Sequence, residues 1–194
     1  LNANDQRVME MGKSFEHICW FSTTDSMEYA NGLCVDDGRV VGKGDVEDLT
    51  GFDLAHSRLL GEHNQENTLA ALLTVRTFVD DKNSLCDRLQ DAYRSFNGLE
   101  HRLEKVAELG GTTFYNDSKA TNDKAAATAI RALDGPLFVL MGGVDKGGGY
   151  ANSRAAADGK TRLMVCFGEA SLAIQQAMDG VTFEVIRCST MVEA

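Results

Sequence analysis

Phe114-Tyr115-Asn116-Asp117-Ser118-Lys119-Ala120-Thr121-Asn122 is the stretch on which the reading of this chain turns. With Thr112 and Thr113 before it, its start is β-branched and aromatic and predicts a buried strand, whereas Lys124 to Leu133 is alanine-rich and predicts a helix. Between them lies a strand-to-helix junction crowded with polar side chains. In an open α/β sheet such junctions fall at the carboxyl ends of strands, where ligands bind and where a helix start offers N–H groups and a positive dipole end to an anion. Asp117 can hold a metal or a polar group, Lys119 can meet a phosphate or carboxylate, and Thr121 and Asn122 can donate hydrogen bonds. Capping of the helix by Asp117 or Ser118 is the plainer account, but a cap alone leaves Lys119 and Thr121 unexplained.

A second junction has the same grammar. Pro136 to Met141 is a short apolar run of the kind expected for a strand buried on both faces, and it ends in Gly142-Gly143-Val144-Asp145-Lys146-Gly147-Gly148-Gly149. Glycines allow close approach of backbone to a ligand and leave Lys146 at the strand end. A glycine-rich loop is a weak signal alone, and this one lacks the Gly-Lys-Ser/Thr ending of a Walker A loop. Two lysine-bearing strand ends in one sheet together predict a site for a doubly charged anion.

Four segments occur in an order that resembles the Mur ligase family of cell-wall synthesis, in its D-glutamate-adding branch. They are Gly61-Glu62-His63-Asn64-Gln65-Glu66-Asn67-Thr68-Leu69-Ala70-Ala71-Leu72, Gly98-Leu99-Glu100-His101-Arg102-Leu103-Glu104, Asn116 to Asn122, and Gly142 to Gly147. The resemblance runs from about residue 56 to the end and more loosely before that. Sibling ligases and folylpolyglutamate synthases carry different residues at the Asp-Ser-Lys-Ala-Thr-Asn position, which makes the branch more specific than the family.

Composition reads plainly as soluble and acidic. The 194 residues, 43% of them apolar, suffice for one large or two small domains. With 19 basic against 29 acidic residues and a net charge of −10, a nucleic-acid-binding surface is disfavoured. No apolar stretch approaches the roughly 18 residues of a membrane span, and the first residues do not read as a signal peptide. Cys19, Cys34, Cys86, Cys166 and Cys188 are scattered without metal-ligand spacing, as expected of reduced thiols in a cytoplasmic protein.

Along the chain, Leu1 to Asp5 reads as a buried strand end entering a turn, as though cut from something longer, and Phe15 to Ser22 reads as a strand. Gly32 to Val35 and Arg39 to Gly42 flank Asp36-Asp37-Gly38, a hairpin signal, and Gly44 to Asp53 reads as a solvated loop or sheet edge. His17 is read as structural or exposed. His56 to Gly61 is expected to be a strand feeding a helix from Asn64 to Val79, on which Asn64 and Asn67 share a face. Their amides offer the donor and acceptor needed to read an adenine edge, with helix capping the competing account for Asn64. Ser84 to Phe96 predicts an amphipathic helix ending at Asn97-Gly98. Leu103 to Leu109 and Thr112 to Asn116 predict two strands around Gly110-Gly111. Ala151 to Ala157 predicts a helix, Leu163 to Phe167 a strand, Gly168 onward a helix, Val181 to Ile186 a strand, and Ser189 to Glu193 a capped helix start. The alternation from Thr112 onward predicts a Rossmann-like unit with a mainly parallel sheet.

The resemblance implies two domains, residues 1–97 as the C-terminal part of a central ATP-binding domain and residues 98–194 as an incomplete amino-acid-binding domain, with Gly98 the hinge. It implies an ATP-dependent, ADP-forming carboxylate–amine ligase that uses Mg²⁺ and joins D-glutamate to UDP-N-acetylmuramoyl-L-alanine through an acyl phosphate, hence a role in peptidoglycan synthesis, cell-wall biogenesis, cell shape and division. Asn64, Asn67, Arg102 and Asp117 would bind nucleotide, Lys119 and Asp117 would serve the chemistry, and Thr121, Lys146 and Lys119 would hold D-glutamate. The plainer account of Arg102 is a solvated surface side chain. No metal ligand is assigned within the chain, and His63 and His101 carry no assigned role. The resemblance further implies a cytoplasmic monomer acting on small molecules, with no nucleic-acid or membrane partner. No Gly-x-x-Gly-Lys-Ser/Thr loop occurs, and the family's metal-binding Glu and His, its modified lysine and its final Ser-Pro-Ala-type segment are not matched, so this piece alone is expected to be catalytically silent. Three other readings stay open: another Mur or folylpolyglutamate-type ligase, a dinucleotide-binding oxidoreductase domain, whose Gly-x-Gly-x-x-Gly spacing the glycine loop lacks, and a nucleotide- or partner-binding α/β module without catalysis.

Overall fold

The computed structural model describes residues 1–24, 29–55 and 57–194. They form two compact units, Leu1–Gly98 and Leu99–Ala194.

In the first unit, Asp5 accepts hydrogen bonds from the N–H groups of Arg7 and Val8 and starts α1 (Gln6–Gly12). The expected strand at Phe15–Ser22 contracts to β1 (Trp20–Phe21), because the chain turns out of α1 into exposed residues before Cys19. Leu1 is exposed, yet Leu1–Ala3 pairs with β1 through Phe21 N–H to Leu1 O and Ala3 N–H to Phe21 O. β2 (Gly32–Asp36) lies parallel to β1 and antiparallel to β3 (Arg39–Lys43). The β2–β3 turn is the expected one, with both Asp37 and Gly38 at positive φ.

Residues Gly44–Asp53 are not a solvated loop. Gly44–Leu49 is a 3₁₀ helix, and Val46, Leu49 and Phe52 are buried. The sheet-edge alternative holds for its end, since Arg39 and Asp53 form an antiparallel bridge. His56 lies outside the described residues. Residues 57–61 form no strand, only a turn in which Leu59 N–H donates to Ser57 Oγ, followed by Gly61 at φ 89°. Helix α2 (Glu62–Phe78) buries Leu69, Leu72 and Leu73 against the sheet, and α3 (Leu85–Ser95) adds Leu85 and the packed Leu89 and Tyr93. Gln90 of α3 accepts from Asp53 N–H at 2.6 Å and donates to Asp53 O at 3.0 Å, as a further strand beside Asp53 would.

In the second unit, β4 (Glu104–Leu109) and β5 (Thr112–Asn116) form the expected hairpin around Gly110-Gly111, both at positive φ. This hairpin is a separate two-stranded sheet, so β5 is not the buried parallel strand expected, and Phe114 is exposed. Helix α4 (Asp123–Ala132) follows. β6 (Leu137–Gly142), β7 (Thr161–Phe167) and β8 (Glu184–Arg187) pair in parallel, with α5 (Ala151–Ala157) and α6 (Ser171–Ala177) in the two crossovers. This is the mainly parallel α/β arrangement expected of the second half.

The core joins Ala127 and Ile130 of α4, Ala156 and Ala157 of α5, Met164 and Cys166 of β7, and Ile174 of α6. β6 is buried on one face only: Leu137, Val139 and Met141 pack on this core, while Phe138 is 62% and Leu140 53% exposed. One charged side chain ties each helix to a neighbouring segment. Asp123 receives the N–H groups of Asn152 and Ser153 at the start of α5, each at 2.9 Å. Lys160 Nζ donates to the carbonyls of Ile130, Arg131 and Leu133 at the end of α4, and Arg154 donates to those of Ala177 and Asp179 at the end of α6. These are the groups helices leave unpaired at their ends. Residues 191–193 form a turn rather than a helix, although Glu193 accepts from Ser189 N–H and its own N–H donates to Thr190 Oγ1.

Candidate functional site

In the second unit the polar junction after β5 is tied to the segment before β4. Asp117 Oδ1 accepts from Leu103 N–H at 2.9 Å. Lys119 N–H donates to His101 O at 3.1 Å, and Asn116 Nδ2 lies 2.9 Å from His101 Nδ1. Asn116 Oδ1 accepts from Ser118 N–H, and Asp117 O from Ala120 N–H, so the loop after β5 is a run of short turns. Arg102, Asp117 and Lys119 therefore belong to one knot of backbone, from which the exposed side chains of Arg102 and Lys119 project. Neither Asp117 nor Ser118 caps α4. The cap is Asn122, whose Oδ1 accepts from Ala125 N–H at 2.9 Å, which leaves Asp117 to the knot.

The glycine loop after β6 comes to the same place. Lys146 Nζ donates to Thr121 O at 3.3 Å, so two of the three residues expected at one substrate are in contact. Asp145 Oδ1 accepts from Gly147 N–H at 3.0 Å and from the Tyr150 hydroxyl at 3.2 Å. Burial and the neighbouring Asp145 push the Tyr150 phenol up, so it stays a hydrogen-bond donor. Gly142 is required where β6 ends, because a Cβ there would lie 2.3 Å from Phe167 O. Gly143 at φ 117° then turns the chain, and its carbonyl accepts from Ala170 N–H near the start of α6.

Asp123, which the sequence did not single out, organises the floor beneath this corner. Its carboxylate also takes the Ser153 hydroxyl at 2.6 Å and the Asn152 amide at 2.7 Å. Burial raises its pKa, but the side-chain and backbone hydrogen bonds from Ser153 and Asn152 outweigh that and hold the group below its ordinary 3.8. The readable signal was the Asn-Asp pair, a cap followed by an acid in the first helical turn.

Asn64 and Asn67 belong to the first unit. Asn64 is not the cap of α2, which begins at Gly61 without a side-chain bond. Its Nδ2 donates back to Leu60 O at 2.8 Å, and its Oδ1 accepts from Asn67 Nδ2 at 3.4 Å. The two amides are thus coupled on one face of the first turns of α2, with Asn67 the exposed member. Glu62 and Glu66 fix that end to the strand side: Glu62 accepts from Thr23 Oγ1 at 2.8 Å, and Glu66 from Asn2 and Asn4 at 3.0 and 3.2 Å. Among the described residues no three His, Cys, Asp or Glu side chains are grouped to hold a metal ion, and no helix is long and apolar enough to cross a membrane.

No protein-family profile matches the chain. Over 183 residues it is 35% identical to the UDP-N-acetylmuramoylalanine–D-glutamate ligase of Acidobacterium capsulatum, covering 93% of this chain and 38% of that protein. The ligase of the same name from Syntrophus aciditrophicus is 34% identical over 190 residues, 96% of this chain and 40% of the relative. That of Alkaliphilus oremlandii is 30% identical over 197 residues, covering this whole chain and 42% of the relative. The chain spans about two fifths of the length of the curated relatives it matches.

Proposed function

We propose that this chain, a homologue of UDP-N-acetylmuramoylalanine–D-glutamate ligases across nearly its full length, is part of an ATP-dependent ligase that joins D-glutamate to UDP-N-acetylmuramoyl-L-alanine in peptidoglycan precursor synthesis. The observation that supports it best is the contact of Lys146 with Thr121, which joins two lysine-bearing strand ends into one corner. A dicarboxylate needs this: one carboxylate meets Lys146 and the Thr121 hydroxyl, and Lys119 stands close in sequence for the second anionic group.

The reaction runs in two balanced steps. A carboxylate oxygen of the acceptor attacks the γ-phosphorus of ATP and ADP leaves; the amine of D-glutamate then attacks the acyl carbon, loses a proton and expels phosphate. Both steps accumulate negative charge on phosphate oxygens, so what a protein supplies is position and positive charge. In this reading Arg102 and Lys119 bind phosphate oxygens, Asp117 steadies the Arg102 turn and contributes to nucleotide binding, and the coupled amides of Asn64 and Asn67 read the adenine edge. Mg²⁺ would neutralise the phosphates and be held by them and by carboxylates outside this chain. The whole protein is read as a cytoplasmic monomer working on small molecules.

Titrating the ¹⁵N-labelled chain with D-glutamate, L-glutamate and an ATP analogue with Mg²⁺ tests the reading. Amide shifts near Thr121 and Lys146 with D-glutamate only, and near Asn64, Asn67 and Arg102 with the nucleotide, are expected. Equal response to both glutamate enantiomers, or nucleotide shifts confined to other regions, would count against it.

A further inference from the structure

Four non-glycine residues among those described have positive φ: Asp37, Ser84, His101 and Leu103. Asp37 sits in a two-residue hairpin turn, where such a conformation is ordinary, and Ser84 is a single left-handed residue before α3. His101 at 64° and Leu103 at 46° flank a single residue, Arg102, in no hairpin and no helix end. A non-glycine residue is strained in the left-handed region, and leucine is not among the residues that visit it readily. Such backbone persists only where its surroundings over-determine it, and it concentrates at ligand clamps.

What over-determines it here is a pair of carboxylates. Glu104 Oε2 accepts the N–H of His101 at 2.8 Å, and Asp117 Oδ1 accepts the N–H of Leu103 at 2.9 Å. The His101 carbonyl is held from the other side by Lys119 N–H, and the Arg102 N–H returns to Leu99 O at 3.2 Å. The Glu104 bond has the i, i+3 form of the acidic half of a capping box, but no helix follows; the chain enters β4. A helix-capping role therefore does not account for Glu104. It sits at the first pair of the hairpin, opposite Asn116, and so links the strained turn to the polar junction after β5.

We propose that Glu104 is a positioning residue: with Asp117 it holds His101 and Leu103 left-handed, so that Arg102 is presented to an anionic ligand from a backbone already fixed before the ligand arrives. This rests on the reading of Arg102 as a phosphate-binding side chain. Fixing the turn beforehand removes an ordering cost that binding would otherwise carry.

The test uses this chain in Glu104→Ala, Glu104→Gln, Arg102→Ala and the Glu104→Ala/Arg102→Ala double variant, with two readouts. Amide hydrogen exchange of ligand-free protein reports the clamp: protection of the His101 N–H should fall at least about tenfold in Glu104→Ala and survive in Glu104→Gln, whose amide oxygen still accepts. Calorimetry with Mg-ATP reports the purpose. Glu104→Ala should weaken binding about tenfold, Glu104→Gln about twofold or less, and the double variant no more than Arg102→Ala alone, because Glu104 acts through Arg102. Unchanged His101 protection in Glu104→Ala overturns the proposal, as does a Glu104→Ala effect that adds fully to that of Arg102→Ala. If Arg102→Ala binds Mg-ATP as the parent does, the phosphate role of Arg102 fails and the proposal with it, while the exchange data separately show whether the turn was clamped.

Discussion

The two lysine-bearing loops that meet at Thr121 are built on opposite principles. The loop after β5 is tied through nearly every residue: Asn116, Asp117, Lys119 and Asn122 each spend a polar group on backbone, and α4 begins from a capped start. The loop after β6 carries four glycines around Asp145 and Lys146, and its internal bonds run mainly through Asp145. One loop arrives shaped, and the other keeps the backbone freedom of its glycines.

That contrast can be broken, and the largest effect is expected where the adaptable loop is rooted. Gly142→Ala places a Cβ 2.3 Å from Phe167 O, and β6 and β7 must part to admit it. We expect a loss of about 3 kcal/mol, read as an earlier urea midpoint. Next comes the floor shared by both loops. Asp123→Ala leaves the start of α5 without its carboxylate and should cost about 2 kcal/mol.

The same carboxyl gives a pH signature. Its folded pKa lies below the ordinary 3.8, so its contribution is fully present above that value and is lost as pH falls through the folded pKa. Acid unfolding followed by circular dichroism should therefore show a shallower stability loss below about pH 4 in Asp123→Asn than in the parent. A smaller change sharpens the comparison on the ligand side. Lys146→Met should lower D-glutamate affinity about tenfold, roughly 1.4 kcal/mol, with little change in stability, because the exposed lysine gives up a single 3.3 Å bond to the Thr121 carbonyl. The least effect is expected for Gly147→Ala: φ is 72° and a Cβ would meet nothing within 4 Å, so the penalty is conformational alone, about 1 kcal/mol.

Much of the second unit was readable because its signals are local. Alanine-rich helices, apolar strands and glycine punctuation follow one another from Thr112, and α5 falls on Ala151–Ala157 as expected. The depth of the strands was not readable. Leu-Phe-Val-Leu-Met looks alike whether one face or two is covered, and only the fold shows Phe138 and Leu140 standing clear of the core. In the first unit, Gly44–Asp53 misled through its acids and glycines, whereas Val46, Leu49 and Phe52, spaced three apart, carried the true signal. At the candidate site, the residue types of Asp117, Lys119, Thr121 and Lys146 drew attention, and the contact of Thr121 with Lys146 crosses 25 positions of sequence. Around Arg102 the Glu104 bond spans only three positions, but the Asp117 bond spans fourteen and could not be read from the sequence.

The charged side chains at the helix ends bear on the order in which this unit can assemble. α5 and α6 have seven residues each, well short of the roughly 12–15 at which an isolated helix holds in water. Their ends are satisfied by Asp123 and Arg154, groups supplied by α4 and α5. Neither short helix can therefore act as a seed. Each waits on its neighbour, the sheet has no crossover until both exist, and helical signal and parallel-sheet protection should appear together in a single kinetic phase.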